Sequence, residues 1–277
     1  EAETEAGAAA AANPAGPHGR RAEIEGEGLA ELIAERGAPD ASVAYFKSLI
    51  EKDPNTVDNH RGLARALSRQ GRHQDAARVW AQALAISAPA RDADRFAHLR
   101  SLARAKSWEE GGAAIAAIPA AARWSAQDRL FAAVVLDNLQ RWDEADRAYA
   151  AALRSVGGRP APALNNWGVS QLARRDYAAA AALFSRALDA DEDFGVAKTN
   201  LALAYALQGD FRLPSVPMSE VERARLYHDV GILAMRRGDR EAARRLFRAA
   251  IDSHPRHYRK ATDMLARLDA ASGATAR

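Results

Sequence analysis

Residues 163–190, ALNNWGVSQLARRDYAAAAALFSRALDA, constrain this chain more than any other stretch. Apolar residues recur there with the period of an amphipathic helix, twice, on either side of a short polar turn. Leu164, Trp167, Gly168 and Leu172 form one stripe; Ala180, Leu183, Phe184, Ala187 and Leu188 form the other. The small residues Gly168 and Ala180 let the two helices approach, and Trp167 and Phe184 fill the space that remains. One such hairpin cannot bury its own apolar surface, so copies must stack on both sides of it.

The copies are present. A residue in the middle of each first helix, small in all but one unit, recurs at Ala30, Ala64, Leu99, Ala133, Gly168, Ala202 and Gly231, at spacings of 34, 35, 34, 35, 34 and 29. Second-helix residues keep the same register: Ser42 and Phe46, Ala76 and Trp80, Gly111 and Ile115, Ala145 and Tyr149, Ala243 and Phe247. A helix–turn–helix unit of this length with fixed small and large positions resembles the tetratricopeptide repeat, TPR. The resemblance implies an all-α, right-handed superhelical solenoid of about seven hairpins with a C-terminal capping helix. The expected units are 23–56, 57–91, 92–125, 126–160, 161–194, a truncated 195–218, and 219–256. Residues 257–270 form the expected cap, which covers the last open apolar face, and 271–277 a tail. Residues 1–22 contain no large apolar side chain and are expected to be a disordered leader or tether.

Two units are irregular. The third is degenerate, because Pro119 stops its second helix early. The sixth has a good first helix, but Pro214 and Pro217 forbid a continuous second one. An extended segment, Leu213 to Met218, stands in its place, and Ser219 with Glu222 reads as a capping box that opens the next helix. The segment is either a tolerated deletion or a docking surface whose unpaired backbone accepts a partner strand.

No catalytic chemistry is legible. With no cysteine there is no thiol nucleophile, disulfide or zinc–thiolate site. None of the seven histidines pairs with a suitably spaced carboxylate, and Pro255 separates His254 from His257, so no metal is expected. No phosphate-cradling glycine loop or nucleophile elbow occurs. Residues 23–270 are all used by the repeats and cap, so neither enzymatic activity, cofactor nor small-molecule substrate is expected. Thirty-six acidic residues interrupt any basic face, and a net charge of +3 argues against nucleic acid. No apolar run approaches the roughly 18 residues of a membrane span.

Binding remains. The first helices should form a groove whose lining changes along the array: Arg61, Arg65, Arg69, Arg100 and Arg104 in repeats two and three, then Asn165, Asn166, Val169, Leu172, Asn200 and Leu203, with Met235 beyond. Asn166 and Asn200 are 34 residues apart and could hold the backbone of an extended peptide through their amides. The guanidiniums could fork onto acidic side chains. The competing reading is that the asparagines brace neighbouring helices and the arginines are merely solvated. The alternative docking segment is Leu213, Pro214, Val216, Pro217 and Met218.

The C-terminal third carries a narrower resemblance. Thr199–Ala204 (TNLALA), Leu213–Ser219 (LPSVPMS), Glu222–Leu226 (ERARL) and Ala250–Pro255 (AIDSHP) resemble the TadD family, TPR lipoproteins of the tight-adherence (Flp) pilus machinery. That resemblance implies a pilotin-like scaffold at the periplasmic face of the outer membrane, binding and supporting the pilus secretin. The family's lipid-bearing cysteine has no counterpart, so membrane attachment is implied only through an anchor that this chain does not contain. Competing possibilities are a generic TPR adaptor and the TPR portion of a larger enzyme such as a glycosyl- or sulfotransferase.

Overall fold

A computed structural model describes residues 37–274, with side chains to residue 270. The expected leader and the first helix of repeat one lie outside the described residues. Those that are described form thirteen α-helices and no strand, the all-α repeat solenoid expected of the sequence. They fall into two compact units, one ending at Ala122 and the other beginning at Arg123.

The first unit contains α1 (Pro39–Lys52), α2 (Val57–Arg69), α3 (His73–Ile86), α4 (Asp92–Ala105) and α5 (Trp108–Ala116). The second contains α6 (Ala126–Asn138), α7 (Trp142–Ser155), α8 (Ala161–Ala173), α9 (Tyr177–Ala190), α10 (Gly195–Leu207), α11 (Glu220–Arg236), α12 (Arg240–Ser253) and α13 (Arg259–Ala274). Within each unit every helix packs against its neighbours in sequence. In the second, α8 also touches α6 and α10, so first helices of successive repeats meet.

One geometric rule generates the hairpins. Seven residues after each small-residue position the backbone turns left-handed, with φ of 74° at Gly71, 59° at Lys106, 58° at Gln140, 65° at Arg175, 86° at Gly209 and 83° at Gly238. A left-handed residue reverses the chain tightly and frees the next one to start a helix. Glycine adopts it without strain, whereas Lys106, Gln140 and Arg175 are held there by the packing of both helices. The next residue is the N-cap, and Asp176 and Asp239 accept bonds from the amides of Ala179 and Ala242 at 3.0 and 2.9 Å.

Sixteen residues after each small position a large side chain from the second helix returns against it: Trp80, Tyr149, Phe184 and Phe247, all at most 3% exposed. The approach is closest at glycine. A Cβ on Gly168 would lie 2.5 Å from the Phe184 ring, and one on Gly231 would lie 2.8 Å from Phe247. In repeat three the corresponding residue is Ile115, half-buried on the nine-residue α5, which ends ahead of Pro119.

Repeat six follows the rule and then departs from it. Gly209 makes the turn and Asp210 occupies the N-cap position, but its carboxylate accepts the amide of Arg212 at 3.2 Å and no helix follows. Pro214 supplies no amide and pushes Leu213 out of helical conformation. The chain runs extended to Ser219, yet Met218 lies sixteen residues after Ala202, the position that belongs to the large side chain. Phe211, Leu213 and Met218 pack on the core of Ala202, Leu226, Val230 and Phe247, while Val216 packs on that of Leu183, Phe184 and Leu201. The segment covers with single side chains what a helix covers elsewhere.

Truncating the large residue of a hairpin leaves a cavity, so Trp80→Ala and Phe247→Ala should each cost about 3–5 kcal/mol. Gly168→Ala forces the Phe184 ring aside and should cost about 1–3 kcal/mol by overpacking. Thermal melting checks all three, and an unchanged midpoint for any of them contradicts the packing rule.

Candidate partner-binding surface

The first helices present polar side chains at equivalent repeat positions, and those side chains have two fates. The first is to join one repeat to the next. Arg61 of α2 is buried and grips buried Asp94 of α4, Nε at 3.0 and 3.1 Å and a terminal nitrogen at 2.6 Å. A second terminal nitrogen reaches Asp58 at 2.7 Å. The hydrogen bonds to Asp94 push the guanidinium pKa further up. Arg61, expected in the groove, is therefore a structural staple.

The asparagines behave similarly. Asn200 of α10 donates its amide to the Asn165 side chain of α8 at 2.9 Å, and Asn165 is buried. One of the two amides expected to hold a ligand backbone, Asn200, is thus bound to a neighbouring side chain. Asn166, the expected equivalent of Asn200, is exposed beside Val169, which is 45% exposed. Leu172 and Met235 pack at the edges of the two cores, and Leu203 is half-buried.

A third junction was not legible in advance. Asp137 of α6 accepts from Tyr149 and Ser170, each at 2.7 Å, and from Arg174 at 3.1 Å. Asp146 of α7 accepts from Trp167 at 2.7 Å and from Arg174 at 2.7 and 2.9 Å. Arg174 also lies 4.9 Å over the Trp142 ring. Burial first, and then the charge of Asp137, push the Tyr149 hydroxyl well above its ordinary pKa. The signal for such staples is a complementary pair about one repeat apart: Arg61 and Asp94, Asp137 and Ser170, Asn165 and Asn200.

The second fate is a cavity. Arg65 and Arg69 of α2 and Arg100 and Arg104 of α4 line a single cavity of about 440 Å³ in the first unit, with Ser68, Ser101 and the edge of Trp80. Asp94 also lines it, but its carboxylate is committed to Arg61. Arg65 with Arg100, and Arg69 with Arg104, stand 35 residues apart and carry like charge. Such pairs cannot staple one repeat to the next. Burial, and then the positive charge of Arg104, hold nearby His73 below the ordinary imidazole pKa. Four guanidiniums around one cavity offer forked donors for carboxylates.

The proline segment is core before it is surface. Pro214 is buried, and Leu213, Val216 and Met218 are half-buried; Ser215 and Pro217 are exposed. Buried Lys198 of α10 donates to the Pro217 carbonyl at 2.7 Å. Glu222 lies 3.7 Å from the same ammonium. Ser219 caps α11 by accepting the Glu222 amide at 3.2 Å, but the Glu222 carboxylate faces Lys198, so the expected capping box is only half formed. A cleft of about 480 Å³ remains along the segment, bounded by Arg223 and Tyr227.

Among the described residues, no three His, Asp or Glu side chains are grouped to hold a metal ion, and no helix is long and apolar enough to cross a membrane. A tetratricopeptide repeat family model matches residues 28–92, 132–193, 165–212 and 229–261, more than half of the chain. The chain belongs to the tetratricopeptide repeat family. Among solved structures it is similar to a tetratricopeptide repeat protein of Parabacteroides merdae, at 15% identity and a TM-score of 0.58, covering 90% of this chain and 98% of that one. The C-terminal part of a TPR repeat-containing protein of Cytophaga hutchinsonii matches at 12% identity and 0.57, covering 86% and 98%. A chain of the APC/C hetero-tetramer Cut9–Hcn1 matches at 13% and 0.53, covering 86% of this chain; this chain spans 48% of it. At these identities the likeness shows the fold. No curated protein matches the sequence.

The Lys198 bond has a measurable consequence. Lys198→Met leaves the Pro217 carbonyl without its donor and should destabilise the second unit by about 1–3 kcal/mol. Urea unfolding checks it; an unchanged midpoint would mean that apolar packing alone fixes the segment.

Proposed function

We propose that this chain is a non-enzymatic scaffold that binds an acidic, extended segment of a protein partner in the arginine cavity of its first unit. The observation that carries this reading is the like-charge register of Arg65 with Arg100 and Arg69 with Arg104 around one cavity. A ligand carboxylate placed between them is bound by two repeats at once. Exposed Asn166 and Val169, with half-buried Leu203, offer a weaker second contact on the other unit. The cleft beside Leu213–Met218 offers a third.

On the resemblance of the C-terminal third to TadD lipoproteins, we propose the pilus secretin as the partner and the periplasmic face of the outer membrane as the setting. In that setting the scaffold acts as a pilotin, and its family's lipid anchor supplies membrane attachment. The resemblance rests on short stretches, of which Leu213–Ser219 departs from the ordinary TPR hairpin.

Secretin affinity measured by surface plasmon resonance tests both parts. Arg100→Gln/Arg104→Gln should weaken binding at least tenfold, the loss of about 1.4 kcal/mol or more expected when charged contacts are removed from an interface. Leu213→Ala/Val216→Ala should weaken it less. If only the second pair matters, the interrupted repeat is the site. If the unaltered chain does not bind the secretin, the pilus assignment fails.

A further inference from the structure

The position one residue after each small residue changes chemistry between the two units. In the first unit it holds Arg65 and Arg100; in the second it holds Val134, Val169, Leu203 and Ile232. Those four stand on α6, α8, α10 and α11, each of which packs on the next. Val169 is 45% exposed and the other three are half-buried, so the core does not consume them. The surface around them carries little charge. The free face of α8 reads Pro162, Asn166, Val169 and Ala173, all exposed, and Val196 of α10, at the repeat position of Pro162, is 55% exposed. Single exposed aliphatic residues are ordinary, but four in register on adjoining helices make one patch. We propose that this patch seats an amphipathic helix of a protein partner, laid across the four first helices with an aliphatic residue at every seventh position. The site deepens the scaffold reading and stands without the arginine cavity.

Spacing selects a helix. Packed helices lie about 8–10 Å apart. Seven residues of α-helix rise about 10.5 Å and return to nearly the same face. Alternate residues of an extended strand recur about every 6.6 Å and fall between the rungs. A polyproline II chain returns about every 9.3 Å, but such chains dock on aromatic grooves, and none of the four positions is aromatic.

The two ends of the patch differ in charge. On α11 the face equivalent to that of α8 reads Arg225, Asp229, Ile232 and Arg236. Both arginines are exposed, and Asp229 approaches Arg225 only to 3.8 Å. The carbonyls at a helix C-terminus carry partial negative charge, so the C-terminal end of the partner helix lies over α11.

The probe is a fluorescent helical peptide of about 24 residues, built of alanine, glutamine and lysine, with leucine at every seventh position and glutamates in the last turn. Its control has the same composition with the leucines spread around the helix. The unaltered chain should bind the probe at least about tenfold more tightly than the control. Val169→Gln/Leu203→Gln should weaken probe binding at least about tenfold, as loss of buried anchors does, and Arg100→Gln/Arg104→Gln should leave it unchanged. Melting curves confirm folding, and Val169→Gln alone replaces the aliphatic pair should that variant melt early. Equal affinity for probe and control overturns the sevenfold register. Binding lost in the arginine variant and kept in the aliphatic one overturns the site. No binding of the probe to the unaltered chain also overturns it, and leaves the arginine cavity to its own test.

Discussion

The structure depends on one contact repeated along the chain: a small residue on the first helix of a hairpin against a large one sixteen residues later on the second. Gly168 with Phe184 and Gly231 with Phe247 are its tightest instances, because backbone meets ring with no Cβ between them. The left-handed turn lies seven residues into that interval, so small position, turn and large position are locked in one register. Each hairpin still exposes apolar surface on both outer faces, and only stacking covers it. Repeat six shows which part of the rule is essential. It loses its second helix but keeps the turn at Gly209 and delivers Met218 to the core at the sixteenth position.

Stacking also sets what polar residues on the first helices can do. A side chain on the facing surfaces can meet one near its equivalent in the next repeat, as Arg61 meets Asp94 and Asn200 meets Asn165. Where the two are complementary they satisfy each other and become part of the frame, as Arg61 and Asp94 do with both side chains buried. Where they carry like charge, as Arg65 and Arg100 do, they cannot satisfy each other. The fate of a polar side chain in this array is thus a property of pairs of repeats.

This distinction explains how far the sequence could be read. The register, the early end of α5 before Pro119 and the missing helix after Gly209 follow from apolar periodicity and proline, which act locally. Arg65, Arg69, Arg100 and Arg104 were expected in one groove and do line one cavity. Arg61 and Asn200 were expected beside them because a period of 34 in polar residues describes a ligand ladder and an internal staple equally well. The partner that decides between the two, Asp94 or Asn165, becomes visible only when residues are compared across repeats by chemistry as well as by position. The junction of Asp137, Asp146 and Arg174 escaped because it joins three helices at unequal separations. Lys198 escaped because its acceptor is a backbone carbonyl, which no side-chain pattern reveals.

The central claim is that complementary residues in register hold this protein together. Thermal melting of Arg61→Leu beside Arg61→Leu/Asp94→Leu tests it most directly. Leaving Asp94 buried without its cation should cost about 3–5 kcal/mol, whereas the double substitution removes both charges together and should cost less. A fall for the double variant as large as that for Arg61→Leu, or none for Arg61→Leu, would contradict the account.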